Sequence, residues 1–159
     1  MMYGKRLRDL LVAGQIGFAL TIGVLLSVDG QPAIAQQILV VGNDRGGMIG
    51  ERAKAIERLR AAQARVEIRG DLCYSACTMY LGVADVCVSP TTTFGFHGPS
   101  RNGRSLPPNE FDHWSRVMAR YYPEALRLWY LQTGRYAQAQ PMRISGQQII
   151  EMGYQPCAG

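Results

Sequence analysis

Residues 71–82 read DLCYSACTMYLG, and Ser75 stands between two cysteines, Cys73 and Cys77. A serine hydroxyl becomes a nucleophile when a base takes its proton and nearby donors stabilise the oxyanion that its attack creates. The chain has only two histidines to serve as that base, His97 and His113. His97 closes the stretch Thr93-Phe94-Gly95-Phe96 and is the stronger candidate; His113 sits between Asp112 and Trp114 on a predicted helix face. Backbone amides could hold the oxyanion. At Gly46-Gly47 two glycines let the chain turn tightly and aim N–H groups at an anion. At the start of a helix opening at Ser75, N–H groups lack carbonyl partners and meet the positive end of the dipole. Each feature also has a plainer counterpart: a turn, a helix-capping serine, a structural histidine.

The other reactive groups are Cys73, Cys77, Cys87 and Cys157. An even number in an exported chain favours two disulfides, with three possible pairings that spacing does not separate. A bridge from Cys73 or Cys77 to Cys87 would close a short loop and tie the serine turn to its neighbour. Zinc is the weaker reading, because C-x3-C departs from the usual ligand spacing and neither histidine completes a pattern; no metal or cofactor is expected.

These residues must be carried by secondary structure that the hydrophobic pattern predicts. Gln37 to Val41 is a continuous apolar run, as for a strand buried on both faces. Turn residues GNDRGG follow, then strong helix formers from Ile49 to Ala64, with Ile49, Ala53, Ile56 and Leu59 on one face. Arg65 to Gly70 alternates as a second strand. Strand, glycine loop, helix, strand is a βαβ unit, which implies parallel strands. A helix from Ser75 to Gly82, a strand from Val86 to Ser89 and a strand from Thr93 to His97 come next. Gly98 to Asn109 is a polar loop with three prolines, a lid or a disordered segment. Phe111, Trp114, Met118 and Tyr121 then recur at helical spacing, and Pro123 starts a further helix with Leu126, Trp129 and Tyr130. Gly134 fits its C-terminal cap, and Ser145 caps a last short helix that ends before Gly153.

At 159 residues the chain is expected to hold one domain. Lys5, Arg6 and Arg8 precede an uncharged apolar run from Leu10 to Val28, and Ala33-Ile34-Ala35 has the small-x-small form that signal peptidase reads. Residues 1–35 are therefore expected to be a secretory signal, cleaved after Ala35, leaving a single domain at 36–159 in the periplasm or outside the cell. Retained, the same run could anchor the protein to a membrane. The net charge of +5 falls to +4 on the exported part, spread over scattered arginines with no interleaved aromatics. That pattern argues against nucleic-acid binding.

Taken together, these places resemble the Clp-type serine peptidases of the wider Clp/crotonase fold. The family's Ser-Pro-Gly-Gly loop corresponds to Asp44-Arg45-Gly46-Gly47, and its Gly-x-Ala-Ala-Ser-Met segment to Gly70-Asp71-Leu72-Cys73-Tyr74-Ser75-Ala76. Its strand ending in Pro corresponds to Cys87-Val88-Ser89-Pro90, and its strand ending in His-Gln-Pro to Phe94-Gly95-Phe96-His97-Gly98-Pro99. The likeness covers residues 37 to 100 and continues weakly through Leu131-Gln132-Thr133-Gly134 to the closing helix. Exported relatives with a Cys-x-Ser-Ala-Cys segment are nearest in pattern.

The resemblance implies an α/β fold of ββα type, superhelical, with a mainly parallel sheet flanked by helices. It implies Ser75 as nucleophile, His97 as base, the Gly47 and Ala76 amides as oxyanion donors, a peptide or protein substrate, and an assembly of several copies. It also shows departures. The family's Asp stretch corresponds to Gln138-Ala139-Gln140-Pro141-Met142-Arg143, which has no carboxylate; Asp112 or Glu110 is the expected substitute, with Asp44 more distant. A Clp-fold binding or assembly module without catalysis is the alternative function. An acyl-thioester enzyme of the crotonase type is a third, weakened by export.

Overall fold

The computed structural model describes residues 35–159. The predicted signal segment, apart from Ala35, lies outside them. Strand β1 (Ile38–Val41), helix α1 (Ile49–Ala61) and strand β2 (Arg65–Ile68) form the expected βαβ start, with β1 and β2 parallel. Strand β3 (Leu72–Tyr74) follows, then a 3₁₀ helix (Ser75–Gly82), β4 (Val86–Val88) and β5 (Thr93–Phe96). A hairpin, β6 (Ser100–Arg101) and β7 (Arg104–Ser105), precedes helices α2 (Pro108–Ala119) and α3 (Glu124–Gln132). The chain closes with β8 (Met142–Ser145), α4 (Gly146–Glu151) and β9 (Gln155–Pro156).

From β2 to β5 the strands alternate between two sheets, to which β9 and β8 are later added, while β6 and β7 pair only with each other. One sheet has the order β1-β2-β4-β9, parallel throughout. The other has the order β3-β5-β8, with β3 and β5 parallel and β8 antiparallel to β5. The described residues are thus mixed α/β with a parallel sheet flanked by helices.

Burial follows the pattern in β2, where Val66 and Ile68 turn inward while Arg65 and Glu67 face out and ion-pair with each other, with Asp85 and with Arg69. It departs from expectation in β1. That run forms the edge of its sheet, and Ile38 and Val40 remain 55% and 57% exposed. The outer face of the sheet carries no helix there, so an all-apolar run is buried on one side only.

The core lies between the sheets and the helical layer. Phe94, Phe96, Ile56, Met118 and Tyr130 are fully enclosed or nearly so. Pro123 sits at the start of α3 as the pattern predicts. Gly134 does not cap that helix in a left-handed conformation; it opens a 3₁₀ turn beneath the Trp129 ring, where a methyl group would lie 2.8 Å from ring carbon. Ser145 caps α4 in a reciprocal capping box with Gln148. The segment 98–109, expected as an open loop, forms the β6–β7 hairpin. Asn102 and Gly103 both adopt positive φ, 51° and 74°, as a tight two-residue turn requires.

Candidate active site

Ser75 leaves β3 and enters the 3₁₀ helix at φ +56°. A non-glycine residue in this region costs on the order of 1–3 kcal/mol, so the surrounding structure must enforce it. The serine gains no capping in return: Tyr74 is the N-cap, no side chain caps the helix N–H groups, and the Ser75 hydroxyl has no hydrogen-bond partner among the described residues. The capping role that sequence allowed for Ser75 is therefore not filled. A strained serine on a sharp strand-to-helix turn is also how α/β-hydrolases expose their nucleophile.

Two constraints hold the turn. Cys73 and Cys77 bridge each other across it, with Cα atoms 5.3 Å apart. Cys87 pairs with Cys157, 70 residues on, so neither flanking cysteine reaches Cys87 as the short-loop expectation had it. All four thiols are thereby oxidised, which suits an oxidising compartment outside the cytoplasm.

The second constraint is the glycine loop. Asp44 forms a parallel bridge with Cys73, accepts from the Tyr74 amide at 2.8 Å and donates its own amide to the Leu72 carbonyl at 3.0 Å. Its carboxylate binds Arg52 of α1 at 2.6 Å and the Gly46 amide at 2.7 Å. Arg52 also lies over the Tyr80 ring, 4.4 Å from its centre, which pins the loop to the 3₁₀ helix. Asp44 is thus a loop-forming residue and makes no contact with His97.

Gly46 then packs directly on the serine turn. A methyl group there would stand 2.6 Å from Ser75 Cβ and 3.1 Å from the Ala76 nitrogen, at φ +108°. Gly46→Ala is expected to destabilise the protein by about 1–3 kcal/mol and to displace Ser75. Thermal unfolding, with serine-probe labelling of the folded fraction, checks both. The Gly47 amide, beside it, has no acceptor among the described residues. Ala76 is in the first helical turn, where no intrahelical carbonyl is available. Gly47, next to the glycine that packs on Ser75, and Ala76, next to Ser75 in the chain, thus both have N–H groups without a partner among the described residues.

His97 comes from the neighbouring strand. β3 and β5 run parallel with Tyr74 opposite Gly95, so both strands end at the same end of the sheet, and His97 lies one residue beyond the position level with Ser75. Their side chains do not hydrogen-bond in the ligand-free molecule; such contacts often tighten only around substrate. His97 Nδ1 lies 2.7 Å from the Gly98 carbonyl oxygen. A carbonyl only accepts, so Nδ1 must carry the proton, which leaves the Nε2 lone pair available as base.

Neither expected carboxylate reaches His97. Asp112 binds Arg116 at 2.7 Å and Arg135 at 2.9 Å, and these two arginines, Arg116 foremost, hold its carboxyl below the usual range. Glu110 binds Arg101 of the hairpin at 2.9 Å. Both lie on α2, which the basic residues around it neutralise. His113 is exposed against the Trp114 ring and takes no part. Among the described residues no cluster of His, Cys, Asp or Glu is arranged to hold a metal.

Sequence reasoning passed over five contributors: Arg52, the Gly98 carbonyl, and the buried hydroxyls of Thr78, Tyr122 and Tyr130. The segment GPSRNGR carried a usable hairpin signal in its Asn-Gly pair. Tyr122 and Tyr130 act on residues 44 and 33 positions away and nothing local marks them, whereas Thr78 and the Gly98 carbonyl act within three residues of their partners. Comparison with protein-family models, curated proteins and solved structures yields no match for this chain.

Proposed function

We propose that this protein is an exported serine hydrolase, a peptidase of Clp/crotonase-like build, working through a Ser75–His97 dyad. The observation that carries the reading is Ser75 itself: a left-handed serine, clamped by Gly46 and a disulfide, whose hydroxyl caps nothing. The alternation of strands between two sheets supports the ββα reading of the fold. The two disulfides, and the absence of any membrane-spanning helix among the described residues, are compatible with a periplasmic or secreted protein.

In this reading Ser75 Oγ attacks the substrate carbonyl carbon while its proton passes to His97 Nε2. The carbonyl electron pair becomes an oxyanion held by the Gly47 and Ala76 amides. As the tetrahedral intermediate collapses, the C–N bond breaks and the imidazolium returns its proton to the leaving amine. Water, deprotonated by the same nitrogen, then releases the acyl group and restores the serine. The Gly98 carbonyl keeps the ring in the tautomer this cycle needs. As a neutral acceptor it stabilises the imidazolium less than a carboxylate would, so turnover is slow relative to full triads.

Treating the oxidised protein with a fluorophosphonate serine probe tests the reading. Labelling that vanishes in both Ser75→Ala and His97→Ala is the expected result. A folded wild-type protein that takes no label sinks it. That outcome would favour the second reading, a binding module of the same fold, which the absence of any carboxylate on His97 supports.

A further inference from the structure

The backbone carbonyls of Ser75 and His97 are both held from one buried aromatic cluster. The Thr78 hydroxyl donates to the Ser75 carbonyl at 2.7 Å. That hydroxyl has a single proton, so the Tyr122 hydroxyl, 2.6 Å away, must donate to Thr78. The Tyr130 hydroxyl donates to the His97 carbonyl at 3.1 Å. The two tyrosine rings meet edge to face, 5.2 Å apart, and Phe96 closes the cluster 5.6 Å from Tyr122. Thr78 and Tyr130 are completely buried and Tyr122 is 6% exposed. Burial pushes both tyrosine hydroxyls well above their ordinary titration range, foremost by removing them from water. They therefore stay protonated, and so stay donors, at every pH where the protein would work.

We propose that Tyr122 and Tyr130 are positioning residues that fix the separation of the Ser75 and His97 main chains; the proposal rests on the dyad reading above. On the histidine side the peptide unit between His97 and Gly98 is gripped at both ends. Tyr130 takes its oxygen, and the Gly98 N–H donates to the Ala137 carbonyl at 3.2 Å. Gly98 has no room for a side chain, since a methyl group there would meet the Arg135 oxygen, Phe111 and Gln138. The pinned peptide unit fixes the Gly98 backbone nitrogen, and so one end of the short arm that carries the Gly98 carbonyl to His97 Nδ1 and sets the Nδ1–H tautomer. On the serine side the chain Tyr122–Thr78–Ser75 fixes the carbonyl of the strained residue. Because the two rings pack on each other, displacing one ring disturbs both ends of the dyad.

The test uses full-length oxidised Tyr122→Phe, Tyr130→Phe, Thr78→Val and Thr78→Ser, compared at equal folded fraction. Nitrogen-15 spectra of His97 read its tautomer, and the Ser75 Cα carbon shift reads its φ; neither needs activity. Tyr130→Phe is expected to populate the Nε2–H tautomer. Tyr122→Phe and Thr78→Val are expected to move the Ser75 Cα shift, and Thr78→Ser to restore it. Fluorophosphonate labelling should slow by about tenfold in the three disrupted variants, the worth of one lost hydrogen bond, and recover in Thr78→Ser. Folded variants with unchanged spectra and unchanged labelling overturn the proposal. A wild type that takes no label overturns the dyad reading instead, and the spectra still decide whether the tyrosines position these residues.

Discussion

Replacing Cys73 and Cys77 together by serine is expected to abolish most probe labelling while leaving the protein folded. The bridge closes only the three residues between its ends, Tyr74, Ser75 and Ala76. Loop-closure entropy for so short a ring is worth about 2 kcal/mol, which a domain of this size can lose. The consequence for Ser75 is larger. Its left-handed conformation is unfavourable on its own and must be imposed by its neighbours. With the bridge gone, the turn can relax toward ordinary helix or strand geometry, which moves the Ser75 hydroxyl. A misplacement near 1 Å is enough to slow a positioned reaction on the order of 10²-fold. Labelling rate and thermal midpoint, measured on the same sample, separate the two effects. Labelling that survives at the wild-type rate would mean that Gly46 and Arg52 hold the turn unaided.

Removal of the second bridge should show the opposite balance. Cys87 and Cys157 lie 70 residues apart, and the same loop-entropy relation gives about 4 kcal/mol for their link. The Cys157 amide also donates to the Val88 carbonyl at 3.0 Å, and β9 beside it pairs with β4. Cys87→Ala with Cys157→Ala is expected to lower the melting temperature by roughly 10–20 °C and to free the last strand. Labelling of the fraction that stays folded should hardly change, because neither cysteine touches the serine turn. A loss of labelling at temperatures well below melting would show that the closing strand also supports the site. A melting temperature within a few degrees of wild type would show that strand pairing alone secures the C-terminal segment.

Part of this arrangement is legible in sequence. The β1–α1–β2 unit follows from an apolar run, a glycine turn and a helix-forming stretch that stand in order and touch their neighbours. Ser75 at a strand-to-helix junction follows from the same patterning, as does Ser145 as a cap. What escapes depends on contacts between distant residues. The φ of Ser75 is set by Gly46 and by the disulfide, and neither is visible in the identity of a serine. β8 and β9 are short strands recognised only by what they pair with: Gly95 meets Arg143, and Cys87 meets Gln155. Asp112 and Glu110 looked available because sequence gives their position and not their partners. Arginines from three separate segments claim them. The edge exposure of β1 escapes for the same reason, since an apolar run does not reveal on which side the helices lie.

The spacing of the cysteines also orders the folding of the chain in time. Growing from its N-terminus, the polypeptide presents Cys73 and Cys77 first, four positions apart, and Cys87 shortly afterwards. Closing the nearest pair at once leaves Cys87 as the one thiol with no partner, and it must wait until residue 157 emerges. Mispairing is then avoided by kinetics, because the native short ring is also the fastest to close. The all-parallel sheet is completed only when β9 arrives, so its last hydrogen bonds and the Cys87–Cys157 link form together. Any delay between these events leaves an open edge at β4, and that interval, rather than the finished fold, is when this protein is most exposed to aggregation.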